Sequence, residues 1–508
     1  MYLGREVDMR FISTRGGDSA ANAAEAIVRG LAADGGLFVP ERFPSLKDSL
    51  AELAAMDYPH RAARVLSAFL EEYDGEKLLA ACRKAYGQFD EGEPAPVVKL
   101  DEGYYIMELF HGPTLAFKDV ALTLLPFLLR EGCNLCGIRD TVLILVATSG
   151  DTGKAALEGF KDAEGVKIMV FYPDEGVSEM QKRQMSVQEG NNVGVLAVKG
   201  NFDDCQTAVK KIFSDRDMAR ALKEKGVILS SANSINFGRL CPQIVYYFSA
   251  YCDLVGAGEI AAGETVDFVV PTGNFGNILA GWYAKQMGLP VGKLVCASNE
   301  NNILTDFFAS GAYDLDRPFF KTTSPSMDIL VSSNLERLIF EFSGRDAALT
   351  AARMRELSER KRYAVSPRER AALANSFYAG FAGKALVDET IAAFFEEYDY
   401  PLDPHTAVAV AVGDGYLCET NGRAPVVVLS TASPYKFPES VLKALGVRFA
   451  GDGFAAAEKL EAETAVPVPA QILRLQELPV RFTEKAEAAE LPTKILDFIG
   501  GGVDKQTF

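Results

Sequence analysis

In the stretch ELFHGPTLAFKD, from Glu108 to Asp119, one side chain could do covalent chemistry, and it is Lys118. A lysine flanked by Leu115, Ala116 and Phe117 can be partly desolvated, which lowers its pKa and leaves a neutral amine able to form a Schiff base with an aldehyde. The same letters also suit a helix-start lysine with a solvated ammonium. The context favours the first reading. His111-Gly112-Pro113-Thr114 is turn chemistry, and from Asp119 an apolar helical run is expected to continue to near Arg130. Lys118 is therefore expected where a loop enters a buried helix.

Four other stretches could bind anions or position a ligand. Thr141 to Thr148 (TVLILVAT) reads as a buried strand, followed by Ser149-Gly150-Asp151-Thr152-Gly153 and a helical stretch from Lys154 to Phe160. Strand, glycine turn and helix aim backbone N–H groups and a positive dipole end at an anion, either a carboxylate or a phosphate. A plain βα turn would need its glycines just as much. Ser230 to Arg239 is dense in amides and hydroxyls around Asn233, Ser234 and Asn236, with one arginine, Arg239, shaped for a bidentate phosphate contact. A capped turn before a helix from Leu240 to Leu254 uses the same residues. Pro271-Thr272-Gly273-Asn274-Phe275-Gly276-Asn277 follows a strand, Val266 to Val270, and opens a helix from Ile278 to Met287. The spacing Gly273 to Gly276 is not the dinucleotide fingerprint, so a single phosphate fits better than a pyrophosphate. Finally, the strand Pro425 to Leu429 leads into Ser430-Thr431-Ala432-Ser433-Pro434-Tyr435-Lys436-Phe437, which puts Thr431 at the sheet edge where α/β proteins bind ligands.

These loops need a scaffold, and the rest of the chain supplies one. A chain of 508 residues with 48% hydrophobic content suggests two to four domains. Helical periodicity dominates up to Pro94-Ala95-Pro96, with helices expected at Ala20 to Leu31, Ser45 to Met56, Tyr58 to Tyr73 and Glu76 to Tyr86. From Val97 short apolar runs alternate with helices, the pattern of an α/β unit with a parallel sheet. Residues 1–95 are thus expected to form a helical N-terminal domain, 96–260 an α/β lobe carrying Lys118, and 261–508 a second α/β lobe carrying the Gly273 loop. Arg345 to Arg362, Ser366 to Phe381 and Lys384 to Glu397 read as charged helices forming a solvated outer layer.

Charge and cysteine usage exclude several classes. A net charge of -17 and a pI near 4.9 argue against broad affinity for nucleic acid or an anionic membrane, so an anionic substrate needs a local basic pocket. Eight scattered cysteines suggest reduced thiols in the cytoplasm, and the lone Cys133/Cys136 pair is a poor metal signal. The three histidines, His60, His111 and His405, are too dispersed to propose a metal cluster. No secretory start or membrane-spanning run is evident.

HGPTLAFKD, SGDTG, PTGNFGN and STASPYKF, in that order, make the chain resemble the threonine synthase family, pyridoxal-phosphate (PLP) enzymes of the tryptophan synthase β-subunit fold, fold type II. The resemblance runs from Ser13-Thr14-Arg15-Gly16 to Phe437. It implies that Lys118 carries PLP, that Gly273, Asn274, Phe275, Gly276 and Asn277 hold the cofactor phosphate, and that Thr431 faces the pyridine nitrogen. It assigns Ser149, Gly150, Asp151 and Thr152 to the substrate α-carboxylate, and Asn233, Ser234 and Arg239 to the substrate phosphate. Family members often have histidine where this chain has Ser433, which leaves Ser433 without a role. The implied reaction converts O-phospho-L-homoserine and water to L-threonine and phosphate, with Lys118 moving protons at Cα and Cβ and no metal. A phospho-amino-acid lyase or a serine/threonine dehydratase would share Lys118 and the Gly273 loop, while a non-enzymatic binding protein would need no Lys118. Partners are expected to be small phosphorylated amino acids, with no nucleic acid or membrane, for a monomer or small homo-oligomer.

Overall fold

The computed structural model describes residues 9–500 apart from 149, 175, 176, 178, 201 and 423. Two parallel sheets organise it. The larger has six strands in the order Phe377–Phe381, Val291–Ser298, Val266–Pro271, Val426–Ser430, Tyr104–Glu108 and Val97–Asp101. All neighbours run parallel except the outer hairpin, in which Val97–Asp101 pairs antiparallel with Tyr104–Glu108. The smaller sheet is all parallel, in the order Lys485–Ala486, Val193–Val198, Val166–Pro173, Thr141–Ala147 and Val227–Ser230. Val142 to Val146 are fully buried, as strands covered by helices on both faces must be.

Strand pairing crosses the expected boundary at 260 in both directions. The hairpin at 97–108 joins the sheet built mainly from residues after 260, and Lys485–Ala486 returns to edge the sheet built from residues 141–230. The helix Phe237–Gly256 is almost wholly buried and packs against the helix Gly276–Gln286.

Local sequence explains most elements. Asn22, Asp57 and Asp74 cap the N-terminal helices Ala23–Arg29, Tyr58–Ser67 and Gly75–Tyr86 by accepting from Glu25, His60 and Lys77 amides. The N-terminal region is not wholly helical, because Phe11–Ser13, Ser19–Ala20 and Phe38–Pro40 form a small antiparallel sheet of strands too short to show periodicity. The helix expected from Asp119 to Arg130 is two helices, Lys118–Leu122 and Leu125–Leu135, with Pro126 in the first turn of the second, where its missing N–H costs nothing. The run 366–381 is also divided: the helix Pro367–Ser376 ends and Phe377–Phe381 becomes the sheet edge, paired with Leu294 to Ser298. At Gly380 a Cβ would approach Val412 to 2.9 Å, so close helix-on-sheet packing there requires glycine. Within the helices read as a solvated layer, Arg353 and Glu369 instead form a buried bidentate pair, both contacts 2.7 Å.

Five loops leave the carboxyl ends of parallel strands. Those after Tyr104–Glu108, Val426–Ser430 and Val266–Pro271 come from three adjacent strands of the larger sheet; those after Thr141–Ala147 and Val227–Ser230 come from adjacent strands of the smaller one. Every sequence-predicted site residue among the described residues lies on one of these loops or the helix start that follows, which is the edge where open α/β sheets bind ligands.

Candidate active site

The loop before Lys118 is built to aim it inward. The Asp119 carboxylate accepts from the Thr114 amide at 2.7 Å and the Thr114 hydroxyl at 2.6 Å, closing the turn on itself. A Cβ on Gly112 would sit 2.6 Å from Asp119, so only glycine fits. Leu115 takes a left-handed conformation with φ +61°, a strained choice that persists because both sides of the loop are fixed. Ala116 bridges Ala432, Phe117 N donates to the Thr431 carbonyl at 3.0 Å, and Ser433 N donates to the Leu115 carbonyl at 3.1 Å. These bonds zip the Lys118 loop to the Thr431 loop.

Lys118 is only 8% exposed. Its Nζ lies 3.3 Å from Ser326 Oγ and 3.7 Å from Asp151 Oδ2, with the Phe117 ring centroid 4.7 Å away. Burial lowers its pKa, opposed by Asp151 and assisted by the positive charges of Lys436 and Arg239. Lys436 donates to the Thr114 carbonyl at 2.7 Å and pairs with Asp151 Oδ1 at 3.2 Å. Burial alone would raise Asp151, but the Lys436 and Lys118 ammoniums outweigh it and hold the carboxyl well below the usual range. Asp151 is thus an anion committed to two lysines.

The loop at 273–277 leads into its helix through Phe275, a buried residue with φ +61° that packs on Phe308 and Phe377. No side chain caps this helix start. The Gly273 carbonyl accepts from Ser332 Oγ at 2.7 Å, and the Asn274 carbonyl accepts from the amide and side chain of Asn334 at 3.1 and 2.9 Å. Tyr246 and Tyr247 donate to Asn277 Oδ1 at 2.6 and 2.9 Å, which fixes the amide's orientation and leaves its buried Nδ2 without a partner among the described residues. The atoms nearest to a Cβ on Gly276 would belong to Asn334, Gln243 and Ser234, at 3.5 to 3.9 Å.

Arg239, in the first turn of its helix, is 3% exposed and has no carboxylate partner among the described residues. One guanidinium nitrogen donates to the Ala232 carbonyl at 2.6 Å, while the buried Nε has no partner among the described residues. Burial pushes this guanidinium down to about 10. A buried cation with an idle donor is costly unless an anion answers it. Asn233 is exposed and Ser234 half-buried on the same loop. Of the remaining expected residues, Gly150 is buried with φ +148°, where a Cβ would meet Gln181 at 2.2 Å; Thr152 is half-buried; Thr431 is buried; Ser149 lies outside the described residues.

The donor set fits a phosphorylated aldehyde cofactor together with a second anion: an uncapped helix start and Asn277 Nδ2 on one loop, Arg239 Nε on another, and a buried lysine whose pKa burial lowers. Among the described residues no group of three or more His, Cys, Asp or Glu side chains could hold a metal, and no helix is long and apolar enough to cross a membrane.

Three residues at this centre were given no chemical role by the sequence. Ser326, in the turn Pro325–Met327, bonds Asp151 Oδ2 at 3.2 Å as well as Lys118. His405 Nε2 accepts from the Ser326 amide at 3.3 Å, and its Nδ1 faces Asp403 Oδ1 at 2.8 Å. Lys436 completes the group through Asp151. Only the positive charge of Lys436 in a matched motif could have signalled it. The Ser13 to Gly17 segment takes part elsewhere, with Thr14 and Arg15 both bonded to Glu336 at 2.7 to 2.8 Å.

Comparison with known proteins agrees along the chain. Residues 10–86 match the family described as "Threonine synthase N terminus", 89–384 "Pyridoxal-phosphate dependent enzyme", and 406–495 "Threonine synthase, C-terminal". Threonine synthase of Pseudomonas aeruginosa is 41% identical over 441 residues, 86% of this chain and 90% of that protein. Threonine synthase-like 1 of Homo sapiens is 42% identical over 446 residues, 85% of this chain but only 59% of that longer protein. The crystal structure of PLP-bound threonine synthase from Brucella melitensis superposes with a TM-score of 0.86 at 37% identity, covering 97% of this chain and all of that one. These matches place the fold as type II, and the chain belongs to the threonine synthase family of pyridoxal-phosphate-dependent enzymes.

Proposed function

We propose that the protein is a threonine synthase that converts O-phospho-L-homoserine and water to L-threonine and inorganic phosphate with PLP as cofactor. One observation carries this reading: a buried lysine lies at the sheet edges beside two separate loops, each of which leaves one buried nitrogen, Asn277 Nδ2 or Arg239 Nε, without a partner. Two idle donors suit two phosphates, one on the cofactor and one on the substrate.

In this reading Lys118 would carry the cofactor through its aldehyde, Gly273, Asn274, Phe275, Gly276 and Asn277 would hold its phosphate, and Thr431 would offer its ring nitrogen a neutral hydroxyl. PLP, when bound, supplies an electron sink that makes the substrate's Cα and Cβ protons removable and lets phosphate leave from Cγ. The lowered pKa of Lys118 then matters, because a free amine can take a proton at Cα, return it and act again at Cβ. Ser149, Gly150 and Thr152 are assigned to the substrate carboxylate; the Asp151 side chain, being anionic, serves there by holding Lys118 and Lys436 in place. Asn233, Ser234 and Arg239 are assigned to the substrate phosphate. Arg239 would stabilise the leaving group as charge builds on it, and the phosphate it retains can accept the proton of the water that adds at Cβ. The net charge of -17 and eight free cysteines support a cytoplasmic enzyme, monomeric or a small homo-oligomer, with no nucleic-acid or membrane partner.

Product analysis tests the reaction. Incubation with PLP and O-phospho-L-homoserine should release threonine and phosphate in equal amounts. 2-Oxobutyrate as the main product would mean a lyase or dehydratase, and binding without turnover would mean a binding protein.

A further inference from the structure

Ser326 stands at the junction of the reacting centre without belonging to any of the five strand-end loops. Its carbonyl backs the loop at 273, where a Cβ on Gly273 would approach it to 2.7 Å. Its hydroxyl lies between Lys118 Nζ at 3.3 Å and Asp151 Oδ2 at 3.2 Å, while the direct Lys118 to Asp151 distance of 3.7 Å is too long for a hydrogen bond. A hydroxyl has one proton and two acceptor lone pairs, so it can accept from an ammonium while donating to Asp151, or turn and donate to a neutral amine. The backbone of Ser326 is fixed independently. Because an amide can only donate, His405 Nε2 must be the acceptor in that contact, which puts the ring proton on Nδ1, facing Asp403. His405 and Asp403 are both buried, and the His405 ring also packs on Phe437, with centroids 5.0 Å apart.

We propose that Ser326 is a catalytic residue whose hydroxyl holds the Lys118 amine in both of its protonation states, and that His405, backed by Asp403, is the positioning residue that keeps that hydroxyl in place. No net proton passes through Ser326. When Lys118 gains a proton, the hydroxyl accepts from it and donates to Asp151; when Lys118 loses the proton to substrate, the hydroxyl reverses and donates to Nζ. The Asp151 and Lys436 pair stays intact throughout. The groups facing Lys118 are Asp151, Lys436, Arg239 and Asp119, and Asp151 also faces His405, so the proposal concerns an uncharged hydroxyl set among charged side chains.

This deepens the assignment of Lys118 as the reacting amine and rests on it, but its test needs neither substrate nor turnover. In the full chain freed of cofactor, the rate of Lys118 reductive methylation by formaldehyde, followed across pH by mass spectrometry, reports the midpoint at which its amine becomes free. The ammonium keeps one more charge-assisted bond to the hydroxyl than the amine does. Ser326→Ala should therefore lower the midpoint by about one pH unit, making Lys118 roughly tenfold more reactive on the acid side of it. Ser326→Thr, which keeps the hydroxyl, should restore the wild-type midpoint, and His405→Gln should shift it in the alanine direction by a smaller amount with the circular dichroism spectrum unchanged. An unchanged or raised midpoint in Ser326→Ala, or a threonine variant that behaves like alanine, would overturn the proposal. Neither result would touch the threonine synthase reading, which product analysis decides separately.

Discussion

Arg239 carries the most specific claim about substrate class. It is a buried guanidinium with an idle Nε and no carboxylate beside it, inside a protein whose net charge of -17 repels a phosphate dianion at long range. Losing such a contact typically costs about 2 to 5 kcal/mol, so Arg239→Ala should lower kcat/KM for O-phosphohomoserine by roughly 30-fold or more. Because the contact is to the leaving group, part of the loss should appear in kcat, and the visible absorbance of bound PLP should be unchanged. Near-wild-type turnover would remove Arg239 from the substrate site, and loss of PLP would move it to the cofactor. Lys118 and Arg239 were legible in the sequence because their charge stands out in apolar or amide-rich surroundings. Ser326 was not, since a serine beside proline reads as a turn, and its meaning comes only from Lys118, Asp151 and His405, which are distant in sequence.

At the scale of elements, the strand-turn-helix units were readable from their apolar runs and glycines; the strands expected at Thr141 to Thr148 and Val266 to Val270 appear as Thr141–Ala147 and Val266–Pro271. What could not be read was pairing. Phe377–Phe381 becomes a strand because Val291–Ser298 offers it an open edge, and the hairpin at 97–108 crosses to the larger sheet because Val426–Ser430 lies beside it. The Gly273 loop shows the same dependence. Its glycine is required not by a turn angle but by the Ser326 carbonyl, 2.7 Å from where a Cβ would sit. Gly273→Val should therefore displace both the loop and the turn behind it. Titration of cofactor-free protein with PLP should show at least about a tenfold weaker Kd, the cost of losing one or more phosphate contacts. A wild-type Kd would separate this loop from the cofactor phosphate.

Over the whole molecule, two sheets with interchanged edge strands bring the ends of five loops together, and Lys118 lies where they converge. This arrangement gathers cations locally in an acidic protein: Lys118, Lys436 and Arg239, with Asp151 as the buried counter-ion that both lysines approach. Two lysines touch that aspartate, so which of them carries the cofactor is the question on which the site assignment turns. Loading the intact protein with PLP, reducing it with borohydride and mapping the labelled peptide answers it. The pyridoxyl group should be found on Lys118, in the peptide containing Phe117 and Asp119, with the visible band bleached in proportion; a label on Lys436 or another lysine, or no covalent label at all, would contradict the assignment.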